Sequence, residues 1–235
     1  MNLLLLSNST SDAGYLAHAL PEISALVRDQ GIAAPAVFVP FAGVTRDWDT
    51  YASLVNDALS PLGIVLESLH QSPDPLAAVE GARLIIVGGG NTFNLLRELR
   101  QRKLLSPIAR RVSAGHAAYL GWSAGANLAC PTIKTSNDMP IVDPEGLDAL
   151  GLIDYQINPH YTNAHPAGHR GETRDQRLAE YCVRNPTVPV IGLPEGSGLR
   201  IDATGTTLVG PHDAMVLAGS TPPRAVAPGK IEVSA

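Results

Sequence analysis

Seven short apolar runs constrain what this chain can fold into: LLLLSN (3–8), AVFVPFAG (36–43), IVLESLH (64–70), RLIIVGGG (83–90), AAYLGW (117–122), DYQINPH (154–160) and VPVIGLP (188–194). Their length and apolar character read as strands. Between several of them lie stretches of helical periodicity, among them DWDTYASLVNDALSPLG and NTFNLLRELRQRKLL. In the second, Phe93, Leu96 and Leu99 recur on one face while Arg97, Glu98, Arg100 and Arg102 point outward. Alternation of this kind predicts an α/β fold, a doubly wound and mostly parallel sheet with helices on both faces. After Gly198 the pattern shifts to short β segments separated by Gly and Pro: GLRIDATG, TTLVGP, AMVLAG, RAVAPG and KIEVSA. These are expected as antiparallel strands extending or flanking the sheet. No repeat or linker-like segment interrupts the chain, so residues 1–235 are expected to form a single α/β domain.

A net charge of −5 argues against nucleic acid or an anionic membrane as partner. An acidic small molecule would therefore need a local Arg or Lys to receive it. Two cysteines, Cys130 and Cys182, imply neither a disulfide framework nor a zinc ribbon, and Cys130 reads as a small core residue. The opening MNLLLLSNSTSD lacks a basic n-region and reads as a buried first strand, not a signal peptide. With no apolar run of bilayer-spanning length, a cytoplasmic location is expected. Monomer and homodimer remain equally compatible with the sequence.

In an open α/β sheet, ligands sit beyond the carboxyl ends of the parallel strands. Four strand ends carry chemistry. RLIIV ends in Gly88-Gly89-Gly90-Asn91, AAYLGW in Ser123, DYQINP in His160 and VPVIGLP in Glu195. The segment GWSAG matches G-x-S-x-G, a strand-to-helix turn that exposes a serine hydroxyl as nucleophile, although the bare pattern is weak evidence. His160 is the expected base for Ser123. Backbone N–H groups of Gly89 and Gly90, with that of Ala124, are the expected oxyanion donors. GGGNTF lacks both the G-x-G-x-x-G spacing and a P-loop lysine, which disfavours a nucleotide. His165 and His169 follow His160, but Pro166 and Gly168 prevent the imidazoles from sharing a helix face, so no metal is expected. Two carboxylates compete to orient His160. Strand-end placement favours Glu195, whereas the chain order Ser…Asp…His favours Asp138.

The segments LLLLSNST, FVPFAGVT, IIVGGGNTF, GWSAGANLACPTI, NDMPIVDP, QINPH, GETR and GLPEG together resemble the peptidase E family of α-aspartyl dipeptidases, serine peptidases on a fold like that of class I glutamine amidotransferases. The resemblance runs to about residue 198 and is far more specific than G-x-S-x-G alone. It implies hydrolysis of dipeptides with an N-terminal aspartate through Ser123, His160 and an acidic third residue, with no metal and no cofactor. A carboxylate-binding cation is then required. Arg174, followed by Arg170, is the expected candidate in GHRGETRDQR, Lys134 is weaker, and Asn91 is placed beside the substrate. The alternatives are an esterase, a cyanophycin-cleaving peptidase or a non-catalytic binding member of the same fold. A glutaminase is disfavoured because that chemistry uses Cys where Ser123 stands.

Overall fold

The structure is a computed structural model that describes residues 1–29, 36–164, 167–168 and 170–233. Its strands are β1 (Leu3–Leu6), β2 (Thr10–Ser11), β3 (Gly14–Tyr15), β4 (Ala36–Val39), β5 (Leu66–Ser68), β6 (Leu84–Val87), β7 (Ala118–Trp122), β8 (Gln156–Pro159), β9 (Val190–Leu193), β10 (Gly198–Asp202), β11 (Gly205–Val209), β12 (Ala214–Leu217), β13 (Arg224–Val226) and β14 (Gly229–Ile231). The main helices are α1 (Leu20–Asp29), α2 (Trp48–Leu59), α3 (Pro75–Gly81), α4 (Thr92–Gln101), α5 (Leu105–Ser113), α6 (Ala124–Leu128) and α7 (Arg174–Arg184).

An eight-stranded sheet has the order β14-β11-β10-β1-β7-β6-β4-β5. Its last five strands run parallel, while β10, β11 and β14 continue it antiparallel. The unbroken apolar runs follow from burial on both faces. Side chains alternate across a strand, so Leu3, Leu5, Val37, Val39, Ile85 and Val87 enter one core, and Leu4, Leu6, Phe38, Leu84 and Ile86 enter the other. Helices α3, α4 and α5 cover the first core through Val79, Leu95, Leu96, Leu99, Ile108 and Val112. Helices α1 and α2 cover the second through Ile23, Leu26, Tyr51, Val55 and Leu59. The doubly wound α/β class is thus what the chain adopts. Within α4 the buried face is Leu95, Leu96 and Leu99, and Phe93 packs only partly.

The structure departs from a one-sheet reading at the second half. Strands β8 and β9 leave the main sheet and join β12 and β13 in a separate sheet of order β13-β12-β9-β8. The reason lies at β8, whose outer edge has no strand partner among the described residues. Both backbone groups of Ile157 are taken by side chains near α6 instead: Asn127 Nδ2 donates to its carbonyl at 2.6 Å, and its N–H donates to Cys130 Sγ at 3.2 Å. Thr135 Oγ1 also donates to that carbonyl, at 2.9 Å. This edge is closed by side chains, which docks the second sheet directly against the α6 turn. Among the described residues, no helix is long and apolar enough to cross a membrane.

Candidate active site

Strand β7 passes into α6 through one residue, Ser123, whose backbone sits at φ 52°, ψ −114°. A non-glycine residue at positive φ is strained, at about 1–3 kcal/mol. Close packing enforces the turn. A Cβ on Gly125 would lie 2.2 Å from the Val87 carbonyl oxygen, so only glycine lets α6 approach β6. Ser123 N–H donates to Leu6 O at 3.1 Å and its carbonyl accepts from Asn127 N–H at 3.0 Å, which pins the strained backbone on both sides. The hydroxyl is left facing the sheet edge.

His160 also has positive φ, 53°, one residue beyond β8. Its N–H donates to Ser7 Oγ at 2.8 Å, and Ser7 Oγ in turn donates to Leu193 O at 2.8 Å. Asn8 Oδ1 accepts from Gly196 N–H at 2.8 Å, holding the turn that carries Glu195. With these clamps in place, His160 Nε2 stands 2.9 Å from Ser123 Oγ and Nδ1 stands 2.7 Å from Glu195 Oε1. An ionised carboxylate only accepts, so Nδ1 carries the proton and donates to Glu195. Nε2 of the neutral ring is then the acceptor for the Ser123 hydroxyl. The pair is open to solvent: the His160 and Glu195 side chains are 39% and 65% exposed.

Asp138 lies elsewhere. Its Oδ2 accepts from Thr92 N–H at 2.8 Å, Thr92 Oγ1 at 2.5 Å and Ser136 Oγ at 3.1 Å. It therefore satisfies an orphan donor at the start of α4, where the helix dipole favours an anion. The structure brings Glu195, and not Asp138, against His160, because the 136–139 loop folds back onto α4. Asn91 caps the same helix, accepting from Asn94 N–H at 3.0 Å and donating to Met139 O at 2.9 Å. The two carboxamide bonds fasten the end of the glycine loop. Within that loop Gly88 N–H goes to Val39 O at 3.1 Å and Asn91 N–H to Ala42 O at 2.8 Å. Between them, Gly89 and Gly90 N–H groups donate to no backbone carbonyl among the described residues. Ala124 follows Ser123 as the first residue of α6.

A cavity of about 640 Å³ opens here, with Gly89, Gly90, Asn91, Ser123 and His160 in its wall. Its wall also contains Tyr15, Arg46 and Tyr51, which sequence reasoning missed. Applying the strand-end rule to β4 as well would have drawn in the 42–46 loop. The Arg46 guanidinium lies over the Tyr51 ring, 5.3 Å from its centroid. Arg174 does not line this cavity. It lines a smaller one of about 190 Å³ with Lys134, Asn137, Asn158 and Arg177. There its Nη1 donates to Asn158 Oδ1 at 2.9 Å and to Asn137 Oδ1. Burial, and secondarily Arg177, lower its pKa. Arg170 is exposed and lines neither cavity. Cys130 is fully buried, and burial pushes its thiol up to about 12, in keeping with a core position. His165 and His169 lie outside the described residues. Among the described residues, no cluster of three His, Cys, Asp or Glu side chains has the makings of a metal site.

A serine held in strain at a strand-to-helix turn, within hydrogen-bond reach of an imidazole that a carboxylate orients, marks a serine hydrolase on an α/β sheet. The model of peptidase family S51 matches residues 3–209. Peptidase E of Salmonella paratyphi A is 56% identical over 217 residues, covering 92% of this chain and 93% of that one. Peptidase E of Salmonella typhimurium is 55% identical with the same coverage. Two solved structures share the fold. A putative peptidase E protein from Listeria monocytogenes EGD-e has a TM-score of 0.65 at 22% identity, covering 90% of this chain and 98% of that one. A peptidase from an acI-B1 Actinobacterium has a TM-score of 0.68 at 15% identity, covering 97% and 95%. The chain belongs to peptidase family S51 and is a serine peptidase.

The strain at Ser123 is measurable. Ser123→Gly and Ser123→Ala both remove the hydroxyl, but only glycine relaxes at this φ. Ser123→Gly is expected to be the more stable of the two by about 1 kcal/mol in urea unfolding, after allowing for glycine's extra unfolded-state entropy. A more stable alanine variant would show that the turn is not strained.

Proposed function

We propose that the protein hydrolyses dipeptides with an N-terminal aspartate, through an aspartyl ester on Ser123. The unbroken chain of hydrogen bonds from Ser123 Oγ to His160 and on to Glu195 carries this reading. The kinship to proteins named Peptidase E supports the substrate class.

The reaction runs as acyl transfer. Ser123 Oγ attacks the scissile carbonyl carbon while His160 Nε2 takes its proton, and Glu195 stabilises the resulting imidazolium. The tetrahedral oxyanion faces N–H groups of Gly89, Gly90 and Ala124, preorganised donors that need no reorientation as charge develops. Collapse breaks the C–N bond, and His160 gives its proton to the departing amine. Water then adds to the aspartyl ester with His160 as base, releasing aspartate and restoring Ser123.

Arg174 is the first candidate to receive the aspartate side-chain carboxylate, although it lines a separate cavity from the one at Ser123. Its guanidinium is half-buried between two amide oxygens beside the β8 end that carries His160, and it has no carboxylate partner among the described residues. A desolvated cation lacking a counter-ion suits an anionic ligand. Arg46 is the second candidate, favoured by its place in the wall of the Ser123 cavity.

Two variant pairs test these roles. Glu195→Gln is expected to lower kcat on Asp-Leu about tenfold to a thousandfold with KM little changed. That is less than the ~10⁴ seen where the triad acid is buried, because water reaches Glu195. Asp138→Asn should lose stability at α4 and change kcat far less. The opposite ranking would move the acid role to Asp138.

Arg174→Met should cut kcat/KM on Asp-Leu by about 30- to several-thousand-fold, matching roughly 2–5 kcal/mol for an anion left without its cation. Reaction with a small neutral fluorophosphonate should be spared. Undiminished hydrolysis of Asp-Leu by this variant, with loss in Arg46→Gln, would assign the carboxylate to Arg46.

A further inference from the structure

Tyr51 lies on α2, against the face of the main sheet opposite to α4, and is 2% exposed. Its hydroxyl meets three partners: Gly89 O at 3.0 Å, Trp122 Nε1 at 3.2 Å and the Tyr15 hydroxyl at 3.3 Å. The direction of each bond follows from the donor inventory. An indole N–H only donates, so the Tyr51 oxygen accepts from Trp122, and a carbonyl only accepts, so the Tyr51 proton goes to Gly89 O. Tyr15 donates to the remaining lone pair. The hydroxyl is therefore saturated, with one bond given and two received. Space for it has been cleared: a Cβ on Gly88 would lie 2.5 Å from the Tyr51 hydroxyl oxygen.

The Gly89 carbonyl and the Gly90 N–H belong to one planar trans peptide, so fixing the first aims the second in the opposite direction. On the far side of Gly90 the chain is held to the same neighbour: Asn91 N–H donates to Ala42 O at 2.8 Å, and at φ 136° a Cβ on Gly90 would lie 2.2 Å from that oxygen, so only glycine fits there. Trp122 directly precedes Ser123. One buried hydroxyl thus couples the strand that presents the nucleophile to the loop that faces it.

We infer that Tyr51 is a positioning residue: its hydroxyl holds the Gly89 carbonyl so that the Gly90 N–H stays aimed at the oxyanion formed on attack by Ser123. This rests on the reading of Ser123 as nucleophile and of the glycine loop as oxyanion site. A donated hydrogen bond also polarises the peptide and strengthens its N–H as a donor. Burial raises the phenol well above its ordinary value, which keeps it protonated wherever the enzyme works.

Tyr51→Phe tests the inference, since it keeps the ring that packs edge-on to Phe38 at 5.2 Å and deletes only the hydroxyl. The expected result on Asp-Leu is a kcat lowered about 10- to 100-fold with KM within about twofold, short of the ~10²–10³ for outright loss of an oxyanion donor. The rate of fluorophosphonate labelling at Ser123 should fall in parallel, while inhibition by product aspartate stays unchanged. A folded variant with kcat within about twofold of wild type overturns the inference. So does one in which kcat, KM and aspartate inhibition worsen together, the signature of a merely structural role. If Tyr51→Phe does not fold, 3-fluorotyrosine at position 51 keeps the hydroxyl and, for the addition of one ring fluorine, shifts its hydrogen-bond strength. A displaced kcat at constant KM then supports the role, and no displacement overturns it. Wild-type protein that neither labels at Ser123 nor cleaves Asp-Leu sinks the underlying reading, and this inference with it.

Discussion

The site depends on the buried hydroxyl of Ser7, at the carboxyl end of β1. It accepts from His160 N–H and donates to Leu193 O, so one oxygen ties the main sheet to the ends of two strands of the other sheet. Asn8, the next residue, holds the Glu195 turn through Gly196. Leaving such buried groups unpaired costs about 1–3 kcal/mol each, which makes this junction stiff. Ser123 and the glycine loop are built on the eight-stranded sheet, whereas His160 and Glu195 are built on the four-stranded one. Their distances are set by the junction and not by either sheet alone.

The surrounding packing stores strain where chemistry is read. Ser123 and His160 both hold positive φ, a conformation that side chains resist. Each is held through its own N–H at the end of β1: Ser123 N–H donates to Leu6 O, and His160 N–H donates to the side-chain hydroxyl of Ser7, the residue after the strand. The glycine loop is fastened at its far end by Asn91 and, through Thr92, by Asp138. Rigid support around a strained pair is what preorganised acyl transfer requires.

Much of this was legible in the sequence. Apolar runs located the strands, the elbow located Ser123, and strand-end placement pointed to the carboxylate that stands against His160. Chain order pointed instead to Asp138, which the structure uses at α4. What escaped detection was carried by contacts between residues far apart in the chain. The bonds from Ser7 and Asn8 span 153 to 188 residues and leave no local pattern. Periodicity marks β8 as a strand but cannot say that side chains of Asn127, Cys130 and Thr135 close its edge, so the division into two sheets was invisible. Tyr51 reads as an ordinary buried aromatic of α2 until its three hydroxyl partners are seen. Arg174 was legible as a cation near the His160 strand, yet its separation from the Ser123 cavity was not.

The central claim is that the aspartyl group passes through Ser123 as an ester. Rapid acid quench of the enzyme turning over Asp-Leu, followed by peptide mass spectrometry, tests it directly. A mass increase of one aspartyl residue is expected on the peptide containing Ser123, and it should be absent from Ser123→Ala. Steady turnover of Asp-Leu by a folded Ser123→Ala enzyme, with no aspartyl adduct on the wild type, would contradict it.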